Sequence, residues 1–211
     1  MTQLYLGGLV LAAGLSSRMG TFKPLLPLRG KTVIENTIDS MLSAGTQQVV
    51  VVLGKRGKEL EAFLSSRYPG ELLFAYNERY YETDMLTSIR IGLAALPPCR
   101  AFFLLPGDMP LIRPETFQVL LAAMPPEEDF IIFPTLDGRR KHPPLISGTF
   151  AKEILHYDGP DGLRGFWKLH ENSIVTVPVK DTGCGTDLDT PAQYQNCLEQ
   201  LAENHGNDSG K

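Results

Sequence analysis

What this chain lacks removes most large partners. No apolar run approaches the roughly 20 residues that a membrane-spanning helix needs. The opening stretch MTQLYLGGLVLAAG has no basic leader region, so its apolar part reads as a first strand rather than a signal peptide. Cysteine is scarce: Cys99, Cys184 and Cys197 are odd in number, widely spaced and free of any CxxC pair. That argues against a disulfide framework and a structural zinc site, and leads us to expect a reduced, cytoplasmic protein. The net charge is only -4, and no long run carries one sign, so neither a nucleic acid nor a membrane surface is expected as a partner. The basic trio Arg139-Arg140-Lys141 suits either a solvated loop or contact with a small anion. Two phosphate-binding fingerprints are missing as well. There is no GxGxxG, and Gly14 and Gly20 are one residue too far apart for a P-loop, with no Gly-Lys-Ser/Thr after them.

What remains is a chain of 211 residues, 43% of them hydrophobic, enough for a single well-buried domain. We expect that domain to span residues 1–204, with the polar end 205–211 as a disordered tail. Short β-branched or aromatic runs alternate with helical patterns. Strands are expected at 4–11, 48–53, 72–76, 101–105 and 130–133, and helices at 32–44, 58–68, 84–96 and 114–124. Thr83 or Asp84 is the natural N-cap of the third helix, and Pro114 opens the fourth. Repeated β-α units imply an α/β fold with a mostly parallel central sheet and helices on both faces. After Pro134 the pattern loosens: strands at 143–147 and 173–179 and helices at 149–156, 163–170 and 191–203 suggest a small antiparallel addition.

Ligands of open α/β sheets sit beyond the carboxyl ends of the strands. There the first strand meets LAAGLSSRMGTFKP, residues 11–24. Gly14 and Gly20 let the backbone turn so that N–H groups converge on an anion. Arg18 offers a planar fork for phosphate oxygens, Lys23 a movable point charge, and Ser16 and Ser17 hydroxyl donors. A second strand ends in Pro106-Gly107-Asp108, which puts a carboxylate at the same edge. Facing a polyphosphate, its natural task is to hold Mg²⁺. In Gly185-Thr186-Asp187-Leu188-Asp189-Thr190-Pro191, Asp187 and Asp189 point to one side if the segment is extended. One of them also suits the cap of the helix that begins at Pro191.

These motifs together resemble the MobA-like nucleotidyltransferases, and most closely the molybdenum cofactor cytidylyltransferases. The residues that carry the likeness are LAAGLSSRMGTFKPLLPL (11–28), DMLTSIRIGL (84–93), PGDMP (106–110), HPPLIS (142–147) and DLDTP (187–191). The resemblance implies a Rossmann-like nucleotidyltransferase fold whose antiparallel element lies on the acceptor side. It implies transfer of CMP from CTP to the phosphate of molybdopterin, with release of pyrophosphate and Mg²⁺ as cofactor. The nucleotide would meet Leu11, Ala12, Ala13, Gly14, Ser16, Ser17, Arg18, Lys23, Thr87, Ser88, Gly107 and Asp108. Ala12 to Gly14 would lie near base and ribose, Arg18 on the β- and γ-phosphates and Lys23 near the α-phosphate. Arg18, Lys23 and Asp108 would be catalytic, with Asp108 and Asp189 or Asp187 on the metal. His142 and Arg164 would meet the acceptor, and an apo molybdenum hydroxylase would receive the product. Thr87 and Ser88 sit where a helix cap would equally use them.

Family guanylyltransferases usually read LAGG where this chain has LAAG, which favours CTP. Relatives often show Gly-His-Pro where this chain has Lys141-His142-Pro143, and the extra cation bears on acceptor preference. GTP, or a sugar or lactate phosphate as acceptor, would share the same fold and loop. A non-catalytic carrier of the finished cofactor needs neither Lys23 nor the carboxylates, and a nicotinamide-dependent oxidoreductase lacks its glycine fingerprint here.

Overall fold

The structure, a computed structural model, describes residues 5–15 and 17–208, with side chains placed except at 17 and 202–208. Four parallel strands build its first half. They are β1 (Leu6–Ala12), β4 (Gln48–Leu53), β5 (Leu72–Tyr76) and β6 (Ala101–Pro106), reached after a two-residue hairpin β2 (Pro27–Leu28) and β3 (Lys31–Thr32). Runs such as Val49-Val50-Val51-Val52 are buried on both sides, which is what a parallel sheet covered on both faces demands. The second half supplies β7 (Ile131–Leu136), β8 (Arg139–Arg140), β9 (Leu145–Ser147) and β10 (Ile174–Pro178). The sheet runs β10-β7-β9-β6-β1-β4-β5, with β8 hydrogen-bonded to β7. β9 is the antiparallel element, paired with β6 on one side and β7 on the other.

Helices α1 (Val33–Ser43), α2 (Gly57–Arg67) and α4 (Pro114–Ala122) cover one face through Ile34, Ile38, Leu60, Leu64 and Phe117. On the other, α3 (Met85–Ala95), α5 (Phe150–His156) and α6 (Leu163–Leu169) contribute Ile89, Leu93, Ile154 and Phe166. Local chemistry sets their starts. Thr32 and Glu35 form a reciprocal capping box at α1, and Asp84 accepts from the Thr87 N–H at α3. The last helix, α7 (Pro191–Asp208), runs on into the polar stretch expected as a tail, and residues 209–211 lie outside the description. Among the described residues no helix is long and apolar enough to cross a membrane.

β1 lies between β4 and β6, so the chain leaves it to one side for β4 and later crosses to the other for β6. This reversal opens a crevice at the carboxyl ends of β1 and β6. The loop after β1 and Gly107-Asp108 after β6 both stand there.

Candidate active site

Three segments converge in that crevice, and backbone contacts hold them. The Gly107 N–H donates to the Leu11 carbonyl at 2.9 Å, tying the end of β6 to the end of β1. Gly107 keeps this approach close: an added Cβ would stand 2.8 Å from Ile34 Cδ1, a side-chain tip that would have to shift, and 3.1 Å from the Leu11 oxygen. The Leu188 N–H donates to the Asp108 carbonyl at 3.2 Å, so the loop before α7 is pinned onto the same spot. Leu188 itself is fully buried beside Leu28, Val33 and Cys197. Lys23 opens a short helical turn, Lys23–Leu25, that leads into the hairpin.

These contacts assemble a charge cluster. Lys23 Nζ donates to Asp108 Oδ2 at 2.7 Å and to Asp189 Oδ1 at 2.8 Å. Arg18 meets the other oxygen of Asp189 at 2.7 Å. The Lys23 side chain is only 9% exposed, whereas that of Arg18 is 70% exposed and free to swing. Burial pushes the Lys23 ammonium down, but hydrogen bonds from it to Asp108 and Asp189 outweigh that and raise its pKa. The hydrogen bond from Lys23 holds the Asp189 carboxyl below its ordinary value.

A cavity of about 310 Å³ opens over the cluster, lined by Leu11, Ala12, Gly14, Arg18, Lys23 and Asp108 among others. Gly14 has open space where a Cβ would be, so it keeps room in this cavity, while Gly20 makes the turn with φ of 68°. A second cavity of about 610 Å³ meets the first along Leu11, Arg18, Met85, Asp108 and Asp189. Its far wall is aromatic and basic. Phe133 and Trp167 stand edge to face at 5.5 Å, and the Arg140 guanidinium lies 5.6 Å from the Phe133 ring. Lys141, His142 and Arg164 line it too. Burial pushes the His142 pKa down, so the ring is neutral near pH 7, and its Nδ1 is buried with no hydrogen-bond partner.

The structure brings Arg18, Lys23, Asp108 and Asp189 together, and His142 and Arg164 into the adjoining cavity. Asp187 lines the larger cavity too, but it is exposed, makes no ion pair with Lys23 or Arg18, and accepts a hydrogen bond from Gln193 at 3.4 Å. Among the described residues no three His, Cys, Asp or Glu gather around one point. Asp108 and Asp189 come from different loops to one position, a donor set whose chemistry suits a Mg²⁺ ion completed by phosphate oxygens. Thr87 and Ser88 line neither of these two cavities. Thr87 is held by Asp84, and the buried Ser88 hydroxyl accepts from Asn77. Ala13 is packed into the core and lines neither cavity. Ser16 and the Ser17 side chain lie outside the described residues. Sequence reasoning missed Met85, which borders both cavities, and the Phe133–Trp167 wall.

A family model described as the MobA-like NTP transferase domain matches residues 8–175, which hold both strand ends and Asp108. The chain belongs to the MobA-like NTP transferase family. As a member it is a nucleotidyltransferase. Among relatives, the molybdenum cofactor cytidylyltransferase of Escherichia coli K12 is 26% identical over 92% of this chain and 96% of its own length. The nicotine blue oxidoreductase of Paenarthrobacter nicotinovorans is 27% identical over 90% of this chain and 95% of its own. A probable molybdenum cofactor guanylyltransferase from Natranaerobius thermophilus is 29% identical over 82% and 76%. A nucleotidyl transferase of Methanothermobacter shares the fold at a TM-score of 0.78 over 95% of this chain and 99% of that one, at 22% identity. Rv0371C of Mycobacterium tuberculosis, in a structure with manganese, superposes at 0.68 with 26% identity over 94% and 100%.

Proposed function

We propose that this MobA-like transferase moves CMP from CTP to the terminal phosphate of molybdopterin, in the cytoplasm and for delivery to a molybdenum hydroxylase. The observation that carries the reading is the pair of joined cavities, with Lys23, Asp108 and Asp189 at their junction. The smaller suits a triphosphate near the β1 loop. The larger offers the Phe133 and Trp167 rings and three cations to a ring system bearing phosphate. The likeness to the E. coli cytidylyltransferase, which spans 92% of this chain against 82% for the guanylyltransferase relative, supports cytidine over guanosine.

The acceptor phosphate is largely dianionic near neutral pH, with a second pKa of roughly 6, and needs no general base. Its oxygen attacks the α-phosphorus of CTP and pyrophosphate leaves from the opposite side. The task of the protein is to bring two anions together against their repulsion. Lys23 stabilises charge growing at the α-phosphate and Arg18 the leaving pyrophosphate. Asp108 and Asp189 would hold Mg²⁺, which when bound screens the phosphate charges. A carrier without catalysis would have no use for a buried lysine between two carboxylates.

Calorimetric titration with CTP, GTP, ATP and UTP, each with Mg²⁺, tests the reading, with NADPH as the control for a nicotinamide-dependent oxidoreductase. Selective CTP binding is expected. A preference for GTP moves the chain to the guanylyl branch, and binding of NADPH alone overturns transfer.

A further inference from the structure

Three of the four oxygens of the Asp108–Asp189 pair already hold protein cations. Asp108 Oδ2 and Asp189 Oδ1 share Lys23 Nζ at 2.7 and 2.8 Å, and Asp189 Oδ2 takes Arg18 at 2.7 Å. Two carboxylates and two cations form a neutral cluster, with the ammonium sitting between the carboxylates. A divalent ion entering from water would have to displace that ammonium and face its repulsion at contact range. Leaving both carboxylates for water would cost the ammonium two charge-assisted hydrogen bonds, so it moves most readily toward another anion.

We propose that Lys23 and Arg18 are an internal counter-cation that closes the Asp108–Asp189 site to divalent ions until a triphosphate draws both side chains away. The inference rests on the reading of the smaller cavity as a triphosphate site. Arg18 and Lys23 both line that cavity, so a triphosphate there meets them directly. Once they turn to the phosphates, the pair regains two negative charges next to further phosphate oxygens, and cation and nucleotide bind cooperatively. By linkage each strengthens the other to the same degree. The free protein is thereby kept from binding a stray divalent ion at its reaction centre.

Mn²⁺ titration of the full-length protein without nucleotide, with free ion counted by its paramagnetic resonance signal, tests this. Lys23→Met keeps the length of the side chain and removes its charge. We expect it to bind Mn²⁺ at least about tenfold more tightly than the wild type, as a unit charge removed at contact range allows. Adding Asp108→Asn to that variant should abolish the gain. Arg18→Gln changes an exposed side chain and frees one oxygen, so it should give a smaller gain. Equal Mn²⁺ affinity in wild type and Lys23→Met overturns the proposal. If Lys23→Met fails a thermal-unfolding check, equal affinity in wild type and Arg18→Gln overturns it instead. An α,β-methylene analogue of CTP then separates the two readings. If the analogue does not bind while the Mn²⁺ gain persists, the triphosphate site falls and the counter-cation stands. If it binds and no variant gains Mn²⁺ affinity, the counter-cation falls and the nucleotide site stands.

Discussion

Lys23 lies between two carboxylates in a nearly closed position, and the signs of the pKa shifts fix what it does. Its own pKa is raised above 10.5, so the stability it contributes is complete below that value and lost as pH rises through the folded pKa. Asp189 is lowered below 3.8, so its contribution is complete above that value and lost as pH falls through the folded pKa. The bridge therefore stays charged through the whole neutral range and moves charge rather than protons. Replacing Lys23 by Ala should lower kcat by about 100- to 1000-fold, the cost of losing one oriented donor at a developing charge. A change confined to the KM for CTP would argue against that role. Asp108→Asn should lose turnover at saturating Mg²⁺ and keep its melting temperature within a few degrees. His142 behaves oppositely to a paired histidine. Burial depresses its pKa below 6.5, so the unfolded chain binds its proton first and stability falls as pH drops below 6.5 toward the folded value. Urea unfolding of wild type and His142→Gln at pH 7.5 and 5.5 should show a smaller loss in the variant.

At the scale of elements, the site depends on a pin rather than on a motif. Asp189 reaches Lys23 because Leu188 is buried and its N–H is bound to the Asp108 carbonyl. Leu188→Ala should cost about 2–5 kcal/mol of stability as a buried leucine truncation. It should also reduce turnover at temperatures where the protein is still folded, because the loop loses its anchor. Activity intact in the folded variant would show that Asp189 is placed by other contacts. That pin also explains what sequence could and could not show. Buried strands such as 48–53 and the capped starts of α1 and α3 are legible because periodicity and capping are local. The β2–β3 hairpin was missed because its strands have two residues each and its turn is Arg29-Gly30, with φ of 51° and 75°, a weaker signal than Asn-Gly. The 187–189 segment looked like an alternating pair of carboxylates. That Asp189 meets Lys23 follows from a long-range hydrogen bond that no local pattern encodes. Periodicity places Trp167 in a helix at 163–170, but it shows no cavity for the helix face to overlook.

Across the whole molecule, charge is distributed by cavity and not by net balance. The chain carries -4 overall, yet its larger cavity is basic. Arg140 is tied to Glu171 across the rim. Lys141 and Arg164 have no ion pair among the described residues, so both can meet an anionic acceptor, with the exposed Asp187 as a carboxylate on the same lining. Lys141 is set against Gly185, where an added Cβ would stand 3.2 Å from its Nζ. Lys141→Ala should raise the KM for the acceptor by about tenfold, what one charge-assisted hydrogen bond supplies, and leave CTP affinity within about twofold. Gly185→Ala pushes the ammonium aside without removing it and should reproduce part of that rise. Both effects should shrink as salt increases, because the wall is open to solvent and its charges are screened. A matching rise in the KM for CTP would place Lys141 on the nucleotide instead. The two cavities would then divide the substrates differently, with the larger one taking the triphosphate.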